Sequence, residues 1–175
     1  KKARKDSKWI VANYHRPLWP AVKKPGRGLK HWVPLFEKYQ IDLKSYKQHY
    51  IPRIQWTEAV DQLIITTINR HQNNLNLVSF SADNKEATLL LNEKDAAYVD
   101  INDDLTFLHD NSFIWSSERD GFNHLYHYNQ EGKLKNQVTS GNWEVTKYYG
   151  FDKKTKKVFY QSTEEGSINR SIYSV

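Results

Sequence analysis

The 175 residues include no cysteine and no methionine, which excludes disulfides, thiolate metal centres and cysteine nucleophiles. The lack of cysteine does not by itself choose a redox compartment. No run of eighteen apolar residues occurs, so no membrane-spanning helix is expected. The basic start KKARKDSK is not followed by the apolar stretch and small-residue cleavage site of a secretory signal. The chain therefore reads as soluble and without an address of its own. A Gly-x-Ser-x-Gly nucleophile elbow is missing as well.

What is present divides unevenly. Residues 1–49 hold 13 Lys and Arg against 3 acids, and residues 50–175 hold 13 against 17, so the overall charge of +6 describes neither part. Such asymmetry signals a basic tail on an acidic domain or two segments of different origin. From Tyr50 onward, runs rich in Ile, Thr, Val, Tyr and Phe recur between turn clusters such as DGFN, NQEGK, TSGN, DKKTKK and EEGSIN. That is the signature of short strands joined by hairpins.

The runs repeat. LVSF at 77–80, LYHY at 125–128 and IYSV at 172–175 are offset by 48 and 47 residues. The preceding runs agree, with Ile64 and Ile65 matched to Phe113 and Ile114, then to Val158 and Phe159. A unit of that length made of antiparallel hairpins has the size of a four-stranded propeller blade, the alternative being a β-sandwich with fortuitous spacing. The expected fold is mainly β: between two and three four-stranded antiparallel propeller blades over 50–175, preceded by a short strand-loop-helix segment. Propellers close with about four to eight blades, so 50–175 reads as an arc of a larger ring, with LVSF, LYHY and IYSV as equivalent strands in different blades.

The segments HYIPRIQWT, NRHQNNLNL, FIWSSERDGFNHLYHYN, TSGNWEVTKYYGFD and RSIYSV, in that order, resemble the N-terminal β-propeller region of dipeptidyl peptidase IV, in the prolyl oligopeptidase group of serine peptidases. The resemblance is greatest to bacterial members. It implies a non-catalytic ring that gates an α/β-hydrolase domain removing N-terminal dipeptides with Pro or Ala second. It also implies partners: the remaining blades, the hydrolase domain and, for the whole protein, a peptide substrate. Location would be periplasmic or extracellular, and no cofactor is implied. The family's acidic pair for the substrate amine lies on a helical insertion, so Glu164 and Glu165 read as solvated turn residues. A substrate-facing arginine has no equivalent in AAYVDINDD. Glu118, Arg119 and Asp120 read as hairpin residues that shape a turn, and no catalytic residue is assigned.

Residues 8–43 resemble something different, a fragment of a calcineurin-like metallophosphoesterase of the purple acid phosphatase type. WIVANYHRP has an apolar run delivering a His followed closely by Pro, and LFEKY then leads to DL. By that resemblance His15 matches a metal ligand at a strand end, but its partner loops are missing, which makes it an orphan ligand. His31 reads as structural, before an amphipathic face of Trp32, Leu35, Phe36 and Tyr39 that Pro34 opens. The division is then 1–49, phosphoesterase-like and basic, and 50–175, partial propeller. A chimeric origin near 43–49 would explain the charge break.

Three functions follow. The first is the propeller portion of a dipeptidyl peptidase, inactive alone. The second is a metal-dependent phosphoesterase fragment using His15. The third is nucleic-acid binding by Trp9, Trp19 and Trp32 among basic residues, set aside because those aromatics suit a core and those lysines a solvated face.

Overall fold

Asn69 shows how the strands are delimited. In the computed structural model its side-chain oxygen accepts the N–H groups of Asn73 and Asn74 at 3.0 and 3.1 Å, and its carbonyl accepts that of Gln72 at 3.0 Å. Gln72 takes φ 55° to let the chain reverse, a conformation that polar turn residues reach at modest cost. The structure describes residues 49–57, 62–81 and 86–175. The strand-loop-helix segment expected before residue 49, with His15 and His31, lies outside the described residues.

The hairpin at Asn69 joins the middle strands of a first sheet, formed by β1 (His49–Trp56), β2 (Gln62–Asn69), β3 (Asn74–Ser81) and β4 (Ala87–Lys94) in that spatial order, all antiparallel. Pro52 sits on the edge strand β1, where the register with β2 shifts between Tyr50 and Arg53. An edge bulge is where a residue without an N–H is tolerated. Strand β2 is buried on both faces from Leu63 to Ile68, and accordingly its sequence is a continuous apolar and threonine run without alternation.

The second sheet repeats the pattern with β5 (Thr106–Phe107), β6 (Phe113–Ser117), β7 (His124–Tyr128) and β8 (Leu134–Gln137). All of β6 is buried and all of β8 is exposed. The β7–β8 turn closes on Asn129, whose side-chain oxygen accepts Lys133 N–H at 2.7 Å, with Gly132 at φ 80°. The third sheet holds β9 (Val145–Asp152), β10 (Lys157–Ser162) and β11 (Ser171–Ser174), ordered β11-β10-β9. The described residues thus form two four-stranded sheets and one of three strands, all antiparallel meanders and without a helix. This is the partial propeller expected from the repeat.

The chain divides into two compact units, one carrying β1–β4 and the other β5–β11. Within the second unit, two sheets pack face to face. Ile114 and Leu125 of the second sheet share a core with Val145, Tyr148, Val158 and Tyr160 of the third, and each fully buried aliphatic side chain contributes roughly 1.5–3 kcal/mol by area. Backbone ties reinforce the packing, since Val145 N–H donates to Asn123 O at 2.7 Å and Asn123 Nδ2 donates to Val145 O at 2.7 Å. An aromatic row runs across the same seam. His124 meets Trp143 edge-on with centroids 4.8 Å apart, Trp143 stacks on Tyr160 at 6.1 Å, and Tyr160 stacks on Tyr173 at 5.8 Å.

LVSF, LYHY and IYSV fall in β3, β7 and β11, the third strand of each sheet. The cross-strand ladders refine the rest of the repeat by one residue. Phe80 pairs with Leu63 and Tyr128 with Phe113, while Val158 and Val175 exchange backbone hydrogen bonds. The equivalents of Phe113 and Ile114 are therefore Leu63 and Ile64 rather than Ile64 and Ile65. Both faces of β2 are buried, so LIITTI has no alternation that could fix its phase.

Gly141 gives a direct test of the seam. At φ 137° it stands where an added Cβ would lie 2.7 Å from Trp143 Cδ1 and closer still to Nε1, whereas Gly150, at φ 130°, has nothing within 4 Å. Gly150→Ala should cost only left-handed backbone strain, about 1–3 kcal/mol. Gly141→Ala should cost a further 1–3 kcal/mol, roughly, from the overpacked indole. Urea unfolding of both variants reads the difference, and equal losses would remove the indole from the account.

Candidate functional site

Polar chemistry in the second unit gathers on the second sheet. Ser112, Asp110 and His127 come together although Ser112 and His127 are 15 residues apart, because Ser112 shares a face with Ile114 and the register sets Ile114 opposite His127. Ser112 Oγ donates to Asp110 Oδ1 at 2.5 Å, Ser112 N–H donates to the same oxygen at 3.1 Å, and His127 Nε2 lies 2.9 Å from Ser112 Oγ. The single hydroxyl proton is committed to the carboxylate, so Nε2 carries the imidazole proton and donates it to Oγ. A serine nucleophile needs the opposite polarity, with the histidine accepting and the aspartate behind it. Ser112 is also buried. The group is a turn lock under Asn111, which takes φ 57°.

The charges around this lock are tuned accordingly. Hydrogen bonds from Ser112, aided by the Lys135 ammonium 3.9 Å away, hold the Asp110 carboxyl below the usual carboxylate range. Burial first, and the Lys135 charge second, push His127 below the ordinary imidazole value.

His124 is fully buried beside Thr139 and Gly141. Its Nε2 lies 3.0 Å from the Gly141 carbonyl, an acceptor, so Nε2 bears the proton. Nδ1 then accepts from Thr139 Oγ at 3.1 Å, and Thr139 Oγ accepts Leu125 N–H at 3.0 Å. Both ring nitrogens are engaged, leaving no lone pair for a metal.

The hairpin between β6 and β7 carries Glu118, Arg119 and Asp120. Gly121, at φ 98°, donates its N–H to Glu118 O at 2.9 Å, so charge and glycine shape the turn as expected. Arg119 does more. Its Nε donates to Ser117 Oγ at 3.0 Å, and its guanidinium lies 4.6 Å over the Tyr126 ring and 5.7 Å from the Tyr128 centroid. Such a cation over aromatic faces contributes about 0.5–2 kcal/mol. Burial would raise Asp120, yet hydrogen bonds from Gln137, at 2.6 Å, and Phe122 N–H outweigh it and hold the carboxyl low. Burial, with the Asp120 charge beside it, pushes the Tyr126 phenol far up. Neither group is poised for proton transfer near neutrality.

Glu164 and Glu165 are exposed in the β10–β11 connection, where Glu165 accepts Ser171 Oγ at 3.0 Å. Asp104, which sequence reasoning passed over, is half-buried and accepts Ser116 Oγ at 3.2 Å; burial raises its carboxyl. Among the described residues no group of three or more His, Asp or Glu is arranged to hold a metal, and no helix is long and apolar enough to cross a membrane.

This geometry is that of antiparallel propeller sheets, and similarity to known proteins agrees with that fold. A sequence model of the dipeptidyl peptidase IV (DPP IV) N-terminal region matches residues 34–175, and the chain belongs to that family. Dipeptidyl peptidase 4 of Trichophyton equinum is 26% identical over 190 residues, covering 98% of this chain and 24% of the relative. Probable dipeptidyl peptidase 4 of Aspergillus flavus is 34% identical over 83 residues, covering 47% and 9%. Among solved structures, dipeptidyl peptidase 4 of Porphyromonas gingivalis aligns with a TM-score of 0.69 and 40% identity over 73% of this chain and 18% of that one. A putative dipeptidyl aminopeptidase IV from Bacteroides ovatus aligns with a TM-score of 0.64 and 27% identity, over 73% and 21%. The chain thus spans about a quarter of the length of the curated relatives it matches.

These matches lend the phosphoesterase reading of residues 8–43 no support. The family match runs from residue 34 through 43–49 without a break, and the Trichophyton relative covers 98% of the chain. A metallophosphoesterase fragment finds no support, and neither does a chimeric junction.

The His127 environment predicts a pH dependence. The folded pKa lies below the ordinary value of about 6.5, so the unfolded chain takes up the proton first as pH falls. The stability this residue contributes is complete above about pH 6.5 and is lost as pH drops from there toward the folded value. Melting temperature should therefore decline from pH 7 to pH 5, with a shallower slope in His127→Gln; an unchanged slope would exclude His127 as a source.

Proposed function

We propose that this chain is the non-catalytic propeller portion of a serine dipeptidyl peptidase, restricting which peptides reach a hydrolase domain carried elsewhere in the whole protein. The observation that carries the reading is the family match over residues 34–175, together with relatives named dipeptidyl peptidase 4. It is supported by the polarity of the Asp110–Ser112–His127 group, in which the serine donates to the carboxylate and cannot be activated by the histidine. Antiparallel sheets that stack face to face suit the wall of a ring, since a meander with both faces covered is rigid and presents only its ends to a passing chain. The whole protein would remove dipeptides from peptide N-termini, with Pro or Ala second, in association with further blades and the hydrolase domain. With the reading goes a location outside the cytoplasm, periplasmic or extracellular, which the lack of cysteine neither favours nor opposes.

The test compares the 175-residue chain with the full-length protein on a chromogenic dipeptide ending in proline. The full-length protein should release the chromophore. The chain alone should give none above background, because binding contacts without a nucleophile leave the amide barrier standing. Turnover that follows the 175-residue chain through purification and disappears with a serine-directed inhibitor would overturn the assignment.

A further inference from the structure

Cysteine and methionine, the side chains most readily converted by oxidants, are missing from these 175 residues. One-electron oxidation then falls on the next most easily oxidised groups, indole and phenol. In the second unit three of these rings form a row. Trp143 and Tyr160 are stacked at 4° with centroids 6.1 Å apart, and Tyr160 and Tyr173 at 24° and 5.8 Å, both within the range over which aromatic faces interact. Trp143 and Tyr173 are partly exposed, whereas Tyr160 between them is buried. The row thus joins two solvent-reachable rings through one buried phenol. His124 closes it at the Trp143 end, because imidazole is harder to oxidise than indole.

The charges near the rings separate this row from the other tyrosines. Tyr126 and Tyr128 lie under the Arg119 guanidinium, 4.6 and 5.7 Å from it, and a cation over a ring opposes removal of an electron. The row has carboxylates instead. The Glu164 charge acts on the Tyr160 phenol, and the Glu165 and Glu164 charges both act on that of Tyr173. A negative charge eases loss of an electron, and a carboxylate also serves as base for the proton that a phenol sheds when it is oxidised. Burial first, and the Glu164 charge second, hold the Tyr160 phenol protonated, so that proton is present to be released. Ser171 Oγ donates to Glu165 at 3.0 Å and fixes the carboxylate at its end of the row.

We propose that Trp143, Tyr160 and Tyr173 form a path that discharges one-electron oxidants, moving the radical from the indole at the seam to Tyr173 on β11. The oxidant is a small inorganic radical such as the carbonate radical anion. It takes one electron from Trp143 and becomes carbonate, leaving an indole radical cation. Tyr160 gives an electron to the indole and its phenolic proton to Glu164. Tyr173 then returns an electron to Tyr160, which recovers its proton from Glu164, and Tyr173 passes its own proton to Glu165. In sum the oxidant has gained one electron, Tyr173 has lost one electron and one proton, and Glu165 holds that proton. Trp143 is restored, which preserves the contacts it makes with His124 and Tyr160. The path needs no hydrolase domain and stands apart from the peptidase reading.

The full-length protein, exposed to photolytically generated carbonate radical anion, provides the test. Oxidised side chains are mapped by peptide mass spectrometry, with a nitroso spin trap to mark tyrosyl radicals. The expected result is a trapped adduct at Tyr173 and little ring oxidation at Trp143. Tyr160→Phe should raise Trp143 oxidation several-fold and remove most of the Tyr173 adduct. Glu164→Gln combined with Glu165→Gln should act in the same direction, and both residues are exposed, so the core packing stays as it is. Tyr126→Phe, off the row, should change neither reading. Trp143 oxidation that is unaltered by the Tyr160 and glutamate substitutions would overturn the proposal. So would a Tyr173 adduct undiminished in Trp143→Phe, which would show direct attack from solvent, or an equal effect of Tyr126→Phe, which would show a general loosening rather than a path.

Discussion

Face-to-face contact between neighbouring sheets is the constraint from which the second unit follows. Ile114 and Leu125 must meet Val145, Tyr148, Val158 and Tyr160 in one dry seam, while Phe113, Trp115, Tyr126 and Tyr128 are buried on the other side of the same sheet. A strand buried on both sides cannot alternate apolar with polar, which is why β6 reads FIWSS and every residue in it is inaccessible. Its serines are admitted because each has a hydrogen-bond partner: Ser116 donates to Asp104, and Ser117 accepts from Arg119.

Packing alone would let two sheets slide, and the polar chain through His124 limits that freedom. Leu125 N–H, Thr139 Oγ, the imidazole and the Gly141 carbonyl form one continuous series of hydrogen bonds under the Trp143 ring. Each contributes only about 0.5–1.5 kcal/mol net, but a buried group left without its partner costs about 1–3 kcal/mol. The series therefore acts mainly by penalising displacement. The edge-on contact with Trp143 then passes that orientation to Tyr160 and Tyr173 in the next sheet.

Much of the fold was legible because hairpin length and turn chemistry repeat. The third strands LVSF, LYHY and IYSV were found in register from their spacing, since each is bounded by a turn and contains one large apolar residue at its start. The second strand of the first sheet is shifted by a residue from its expected phase because LIITTI, buried on both faces, has no alternation to mark it. The relation of Ser112 to His127 could not be read, because it arises from pairing across a hairpin and leaves no local trace; only Asp110 with Ser112, two residues apart, announces a turn. Arg119 was legible as part of a turn but not as a cap on Tyr126 and Tyr128, which depends on strand faces. The likeness of WIVANYHRP to a metal-ligand loop is of the opposite kind, being local and without a distant partner residue in the sequence.

Every sheet is a meander in which each strand pairs with the one before it in the chain. Among the described residues no ladder waits for a segment made much later. Contacts of short sequence separation close at little entropic cost and form early, so during synthesis the first sheet is complete once β4 has emerged, while β5 is still to come. Within the second unit, the finished second sheet thus offers Ile114 and Leu125 as the template on which the third sheet sets.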